Sequence, residues 1–423
     1  MLAIPQIMRL MDFLGFGISL APTAALVAAL AAVCLLLGLL KRPQQLQAAA
    51  HPLRAGERWL IALVTALILA RLANLGLELI ARPLYPWDAT MHWATKARVW
   101  FEYRSMVPFV SNQEWLDAGG SGVFTDRHPY YPATVPLLQV WMNVALDRWD
   151  ESLMNLPWLF CLAGLGAAFY GQLRIAGVDT AICAVATYLL LSMPLMNTHV
   201  ALAGYADLFL GAAYACALMS MHNWIRLRQS WLAGLALLFA AFCPLIKNEG
   251  FIWTLTLIPA VATIFMQRRQ AAKLFLLLLL WVVLLMLILP QDWEVAGNRV
   301  QDLLPTFNME ALLGVIKSTW LHNNWHLLGY LLLVFMPIGL LMPGVITRSY
   351  LAITTALASS VGAYLYLFLF TGFGEGAADF AAVGRLSIHL VPALLFLCAL
   401  VYHRTLVQKV WPLPGTVLQR FRV

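Results

Sequence analysis

The chain has 423 residues, is 62% hydrophobic and only 11% charged, and its mean hydropathy is +0.78, which excludes a water-soluble domain with a charged surface. The net charge of +7 comes without a basic patch interleaved with aromatics, so a nucleic-acid partner is excluded as well. Cys34, Cys161, Cys183, Cys216, Cys243 and Cys398 all fall inside apolar runs, where neither an exported disulfide framework nor a zinc site is expected.

In chain order, residues 1–15 read as a short interfacial helix. Run 16–40 is too long for a signal-peptide core and is followed closely by another apolar run, so it is expected to be retained. Further runs of spanning length occupy 58–80, 154–174, 179–198, 204–222, 230–246, 250–266, 273–290, 325–342, 349–370 and 386–403. The expected fold is therefore an all-α polytopic membrane protein with about 11 transmembrane helices. Alternate loops and the tail carry Lys41, Arg42, Arg54, Arg58, Arg174, Arg226, Arg228, Arg268, Arg269, Lys273, Arg348, Arg404, Lys409, Arg420 and Arg422 against Glu57 and Asp179. The positive-inside rule makes those loops cytoplasmic and the opposite, more acidic face external.

The longest external loop is 81–153. Its Trp87, Trp93, Trp100, Trp115, Trp141 and Trp149 point to helices lying at the membrane interface. Within it, 132–146 is apolar but short for a span and reads as a re-entrant or juxtamembrane helix. Two further external loops cover 291–324 and 371–385, and no internal repeat or low-complexity tract is evident.

Ionisable groups near helix ends in a bilayer protein need a reason, since burying one unpaired costs roughly 2.5 to 3.5 kcal/mol. Pro86 predicts a helix start before Asp88, which puts Asp88, His92 and Lys96 on one stripe at i, i+4 and i+8. A carboxylate beside an imidazole can take a proton from a hydroxyl acceptor; its structural alternative is a carboxylate favoured by the helix dipole. The segment from Asp126 through His128, Pro129, Tyr130 and Tyr131 to Pro136 is stiff and aromatic and feeds the short helix. Asp207, the Lys247/Glu249 pair, and Arg385 with His389 mark three more helix ends expected on the external face. Lys247 and Arg385 suit a phosphate, while Asp207 and Glu249 suit sugar hydroxyls or the orientation of those cations. Arg71 and Glu78 are expected to pair structurally within one span, and His322 with His326 to pack at the interface.

These residues resemble the GT-C superfamily of integral-membrane glycosyltransferases, in particular bacterial relatives of protein O-mannosyltransferases and lipid A aminoarabinose transferases. The resemblance lies in Trp87-Asp88-Ala89 with Trp93 and Lys96-Ala97-Arg98, in His128-Pro129-Tyr130-Tyr131-Pro132 followed by Pro136-Leu137-Leu138, in Lys247-Asn248-Glu249-Gly250, and in the segment from Arg385 to Pro392. It covers roughly 58–403, leaving 1–57 as an extra helix with its basic loop and 404–423 as a short cytoplasmic tail. It implies a polyprenyl-phosphate-linked sugar donor, a glycan, lipid or protein acceptor, and transfer at the periplasmic face of a bacterial inner membrane. Asp88 is then the catalytic residue, and His92, Lys96, His128, Tyr131, Asp207, Lys247, Glu249, Arg385 and His389 line the substrate. Metal-dependent members use a more acidic site, whereas Ala89 and Thr90 follow Asp88 here, so no metal or other cofactor is expected.

Two other functions fit parts of the pattern. A transporter or flippase of a lipid-linked glycan would place its polar groups near the midplane, and here they concentrate at one face. An O-antigen polymerase or ligase would carry its long external loop late, and here it comes early.

Overall fold

The computed structural model describes residues 1–40, 53–266, 268–295, 298–304, 306–341 and 347–407. Lys41, Arg42, Lys409, Arg420 and Arg422, which contribute to the sidedness argument, lie outside the described residues. The chain is overwhelmingly helical. Among the described residues the strands are two short ladders, Phe109–Val110 parallel to Phe124–Thr125 and Glu294–Val295 antiparallel to Asn298–Arg299.

Among the described residues, five helices are long and apolar enough to cross a bilayer: Leu20–Leu39, Ala55–Ala81, Leu153–Ile175, Asp207–Leu227 and Arg348–Phe370. A sixth candidate is the pair Thr180–Leu191 and Pro194–Ala201, bent by 52°. This is a multi-pass helical membrane protein. Other apolar runs appear as shorter helices, including Ser230–Ile246, Glu249–Phe265, Leu328–Gly339 and Val391–Thr405. Proline accounts for some of the interruptions, because it lacks an N–H and disfavours helical geometry in the residue before it. Pro194 stands at the 52° bend, Pro244 lies in the last turn of Ser230–Ile246, and Pro337 sits inside Leu328–Leu341.

The chain divides into two compact units. The first comprises Met1–Leu165, Met196–Leu210 and Pro244–Gly250; the second comprises Gly166–Leu195, Gly211–Cys243 and the described part of Phe251–Val423. In the first unit, the amphipathic helix Ala3–Phe13 buries Pro5, Met8 and Met11 and leaves Leu10 and Phe13 exposed. Its buried face joins a core of Met8, Ile18, Ala97, Trp100, Phe101, Phe109, Leu137, Val140 and Val144. The helix is fastened by Met106 N–H donating to the Asp12 carboxylate at 3.2 Å, and the segment after it by Ile18 N–H donating to Arg104 O at 2.7 Å.

This core takes up much of the tryptophan in the 81–153 loop. Trp93 and Trp100 are buried, Trp141 and Trp149 pack against the core, and Trp87 and Trp115 are the exposed ones. A loop that folds on itself needs large apolar side chains inside, and tryptophan supplies the most area per residue. The short apolar stretch is the helix Thr134–Leu146, about 20 Å long at 1.5 Å per residue, less than the roughly 30 Å hydrocarbon core. The expected Arg71–Glu78 pair is corrected: Arg71 Nε donates to Asn197 Oδ1 at 3.2 Å, and Glu78 pairs with Arg82 at 3.1 Å. Four residues put Arg82 one turn from Glu78, whereas seven put Arg71 two turns away.

In the second unit, Leu257–Phe265 packs along Arg348–Phe370, and Val391–Val401 is buried throughout. The Tyr214 hydroxyl sits between Thr256 Oγ1, at 2.7 Å, and Ser360 Oγ. His322 and His326 flank a turn in which His326 has φ 48°, so they do not share a helical face.

Candidate active site

The chain turns helical just after the buried Pro86, first as a π turn, Ala89–Ala94, then as the α-helix Thr95–Tyr103. Thr95 Oγ1 donates to Thr90 O at 2.8 Å and Thr90 Oγ1 to Trp87 O at 2.9 Å, tying the wide turn to its own carbonyls. A π turn widens the helix and shifts the residues beyond it, which interrupts the expected Asp88, His92, Lys96 stripe. Asp88 is half-buried at the turn's start, and His92 is 3% exposed within it.

Lys96 is 1% exposed, its Nζ 3.1 Å from Asp126 Oδ2 and 2.6 Å from His128 O. Asp126 Oδ1 accepts the His128 N–H at 2.8 Å. Lys96 therefore braces the 126–128 turn from inside and does not present its ammonium to solvent. Burial lowers the Lys96 pKa, and the Asp126 carboxylate pulls it back up.

The braced turn carries an aromatic column. The His92 ring meets His128 edge-on with centroids 4.7 Å apart, His128 stacks on Tyr131 at 4.8 Å, and Tyr131 stacks on Trp93 at 5.4 Å. Trp87 meets His92 edge-on at 5.7 Å. Burial lowers the pKa of both imidazoles, assisted at His92 by His128 and at His128 by Arg127, while Asp126 and Asp88 oppose the shift at each. Both rings are consequently mainly neutral at pH 7. Nδ1 of His92 is buried without a hydrogen-bond partner.

A second cluster lies in the same unit. Lys247 Nζ stands 3.0 Å from Asp207 Oδ1 and 2.8 Å from Glu249 Oε1, with Asp207 and Lys247 buried. Two contacts tie its segments to the loop. Gly204, at φ +115°, is so close to the π turn that a Cβ there would come within 2.3 Å of Ala89 Cβ. Thr134 Oγ1 donates to Leu245 O at 2.5 Å.

Asp88, His92, Lys96, His128, Tyr131, Asp207, Lys247 and Glu249 are thus all in the first unit, whereas Arg385 and His389 belong to the second. His389 is fully buried, and its Nδ1 accepts from Trp253 Nε1 at 3.0 Å. Asp126 is the structural residue of this cluster that sequence signals barely mark. Its one signal is an aspartate two residues ahead of His128 and three ahead of Pro129, in a segment already marked as a turn.

The arrangement offers a half-buried carboxylate, two neutral imidazoles and stacked rings, a set able to accept a proton and to hold a polyhydroxylated ligand. Among the described residues, no group of three or more His, Cys, Asp or Glu side chains is placed to hold a metal ion. No known protein family, curated protein or solved structure matches the chain.

Proposed function

We propose that the chain is a glycosyltransferase of the GT-C type, which moves a sugar from a polyprenyl-phosphate donor to a hydroxyl acceptor at the external face of the membrane. The observation that carries this reading is Asp88, half-buried and acting electrostatically on both His92 and His128 at the start of the long loop. In this reading Asp88 takes the acceptor proton as the hydroxyl attacks the anomeric carbon, and the bond to the phosphate oxygen breaks with its electron pair. Rings and imidazoles beside it hold sugar hydroxyls and C–H faces. The finer architecture belongs to the same proposal: about eleven spans, an early periplasmic loop and a bacterial inner membrane.

A cation must meet the charge that develops on the leaving phosphate. Lys247 is already flanked by Asp207 and Glu249, which favours a role in holding those carboxylates. Arg385 stands in the second unit.

The 52° bend between Thr180–Leu191 and Pro194–Ala201 favours a second reading, a transporter of a lipid-linked glycan, since interrupted helices are common in transporters. Mass spectrometry of surface glycans and lipids from a deletion strain separates the two. The transferase reading predicts glycans that still reach the surface but lack one sugar; the transporter reading predicts whole glycans missing from it.

A further inference from the structure

The cations of the 81–153 loop are unequally committed. Arg82, Lys96, Arg98, Arg104 and Arg148 each have a carboxylate within 3.7 Å, from Glu78, Asp126, Glu102, Asp147 and Asp150 respectively. Arg127 is exposed, and among the described residues its guanidinium has no carboxylate partner. It lies over the ring of Trp87, 6.0 Å from the centroid, and Trp87 is itself 53% exposed. The neighbouring Asp126 is occupied by Lys96 and by the His128 N–H, so it does not neutralise Arg127. The charge acts locally, since Arg127 helps depress the pKa of His128.

Arg127 and Asp88 both act electrostatically on His128, so the cation and the candidate carboxylate flank the same imidazole. A guanidinium resting by an aromatic face keeps its in-plane N–H edge available, and that edge matches two oxygens of a phosphate.

We infer that Arg127, held over Trp87, is a phosphate-binding residue that receives a lipid-borne phosphate group next to Asp88. Assigning that phosphate to the sugar donor rests on the glycosyltransferase reading; the binding itself does not. The same chemistry is offered by the headgroups of anionic phospholipids, and the two sources differ in ways that an experiment can read.

The test uses the full chain in phosphatidylcholine nanodiscs, with farnesyl phosphate as probe and farnesol as its uncharged control. Wild type should bind farnesyl phosphate, and Arg127→Gln should weaken that binding about tenfold to a hundredfold, the value of a charge-assisted contact. Arg127→Lys should retain part of the affinity, because the charge survives and the fork is lost. Farnesol binding should be the same in all three proteins, and unchanged thermal unfolding would show that the variants fold. Adding phosphatidylglycerol to the nanodiscs identifies the source: competition in wild type points to headgroups, and its absence to a prenyl-type phosphate. Equal binding of farnesyl phosphate by wild type and Arg127→Gln, or none by wild type, overturns the inference. Failure of the transferase reading would show elsewhere, as unaltered surface glycans in the deletion strain.

Discussion

Lys96 illustrates how a residue that sequence offers to a ligand is used by the fold. Its ammonium and the Asp126 carboxylate are 1% and 2% exposed, so removing one charge leaves the other buried without compensation. Such breaks cost about 3–5 kcal/mol. Lys96→Met is predicted to lower the unfolding temperature of the purified protein and to open the 126–128 turn to proteolysis. The double variant Lys96→Met/Asp126→Asn should recover much of the loss, and equal stability of Lys96→Met and wild type would contradict the bracing role. The helix start near Asp88 was legible from Pro86, since that is a local signal. The partner of Lys96 was not, because the turn it braces reaches His128, 32 positions away, and no spacing rule pairs residues so far apart. Lys247 was half legible: Glu249 was visible two residues on, while Asp207 is 40 positions distant.

At the scale of elements, the π turn Ala89–Ala94 and the segment carrying Gly204 are fitted to one another. A Cβ on Gly204 would lie 2.3 Å from that of Ala89 and 3.1 Å from Leu84 Cδ1, and the residue has φ +115°, a conformation that side chains resist. Gly204→Ala is therefore predicted to displace the 204–207 segment from the turn, lowering both stability and transfer. Gly204→Ala combined with Ala89→Gly should recover some of each by removing the opposing methyl. A Gly204→Ala protein with wild-type unfolding temperature and activity would refute the close fit. Existence of helices was readable from the length of the apolar runs, and the apolar stretch 132–146 anticipated the helix Thr134–Leu146. The π turn carries no residue signature, because Ala, Thr, Met, His and Trp suit α geometry as well, so the break in the Asp88–Lys96 stripe became visible only with the fold. The tryptophans of the loop show a related limit: composition reports how many there are, and packing decides which are inside.

For the whole molecule, composition was enough to establish a multi-pass helical membrane protein, since no charged surface large enough for a soluble domain can be made from 11% charged residues. The number and reach of the spans were less legible. Hydropathy counts apolar residues along the chain, whereas a span also needs an unbroken backbone, and Pro194, Pro244 and Pro337 stand within or between apolar helices. Sidedness follows from basic residues that lie partly outside the described segments. It predicts that alkaline-phosphatase fusions within 81–153 are active and that fusions near Arg226 are inactive; the reverse pattern would place the loop in the cytoplasm and remove access to an external donor. The most direct test of the central claim is to supply Asp88→Asn to the deletion strain and to measure surface glycans and lipids by mass spectrometry. The variant protein is expected at normal level, with the same single sugar missing as in the deletion. Restoration of that sugar by Asp88→Asn would contradict a catalytic role for Asp88.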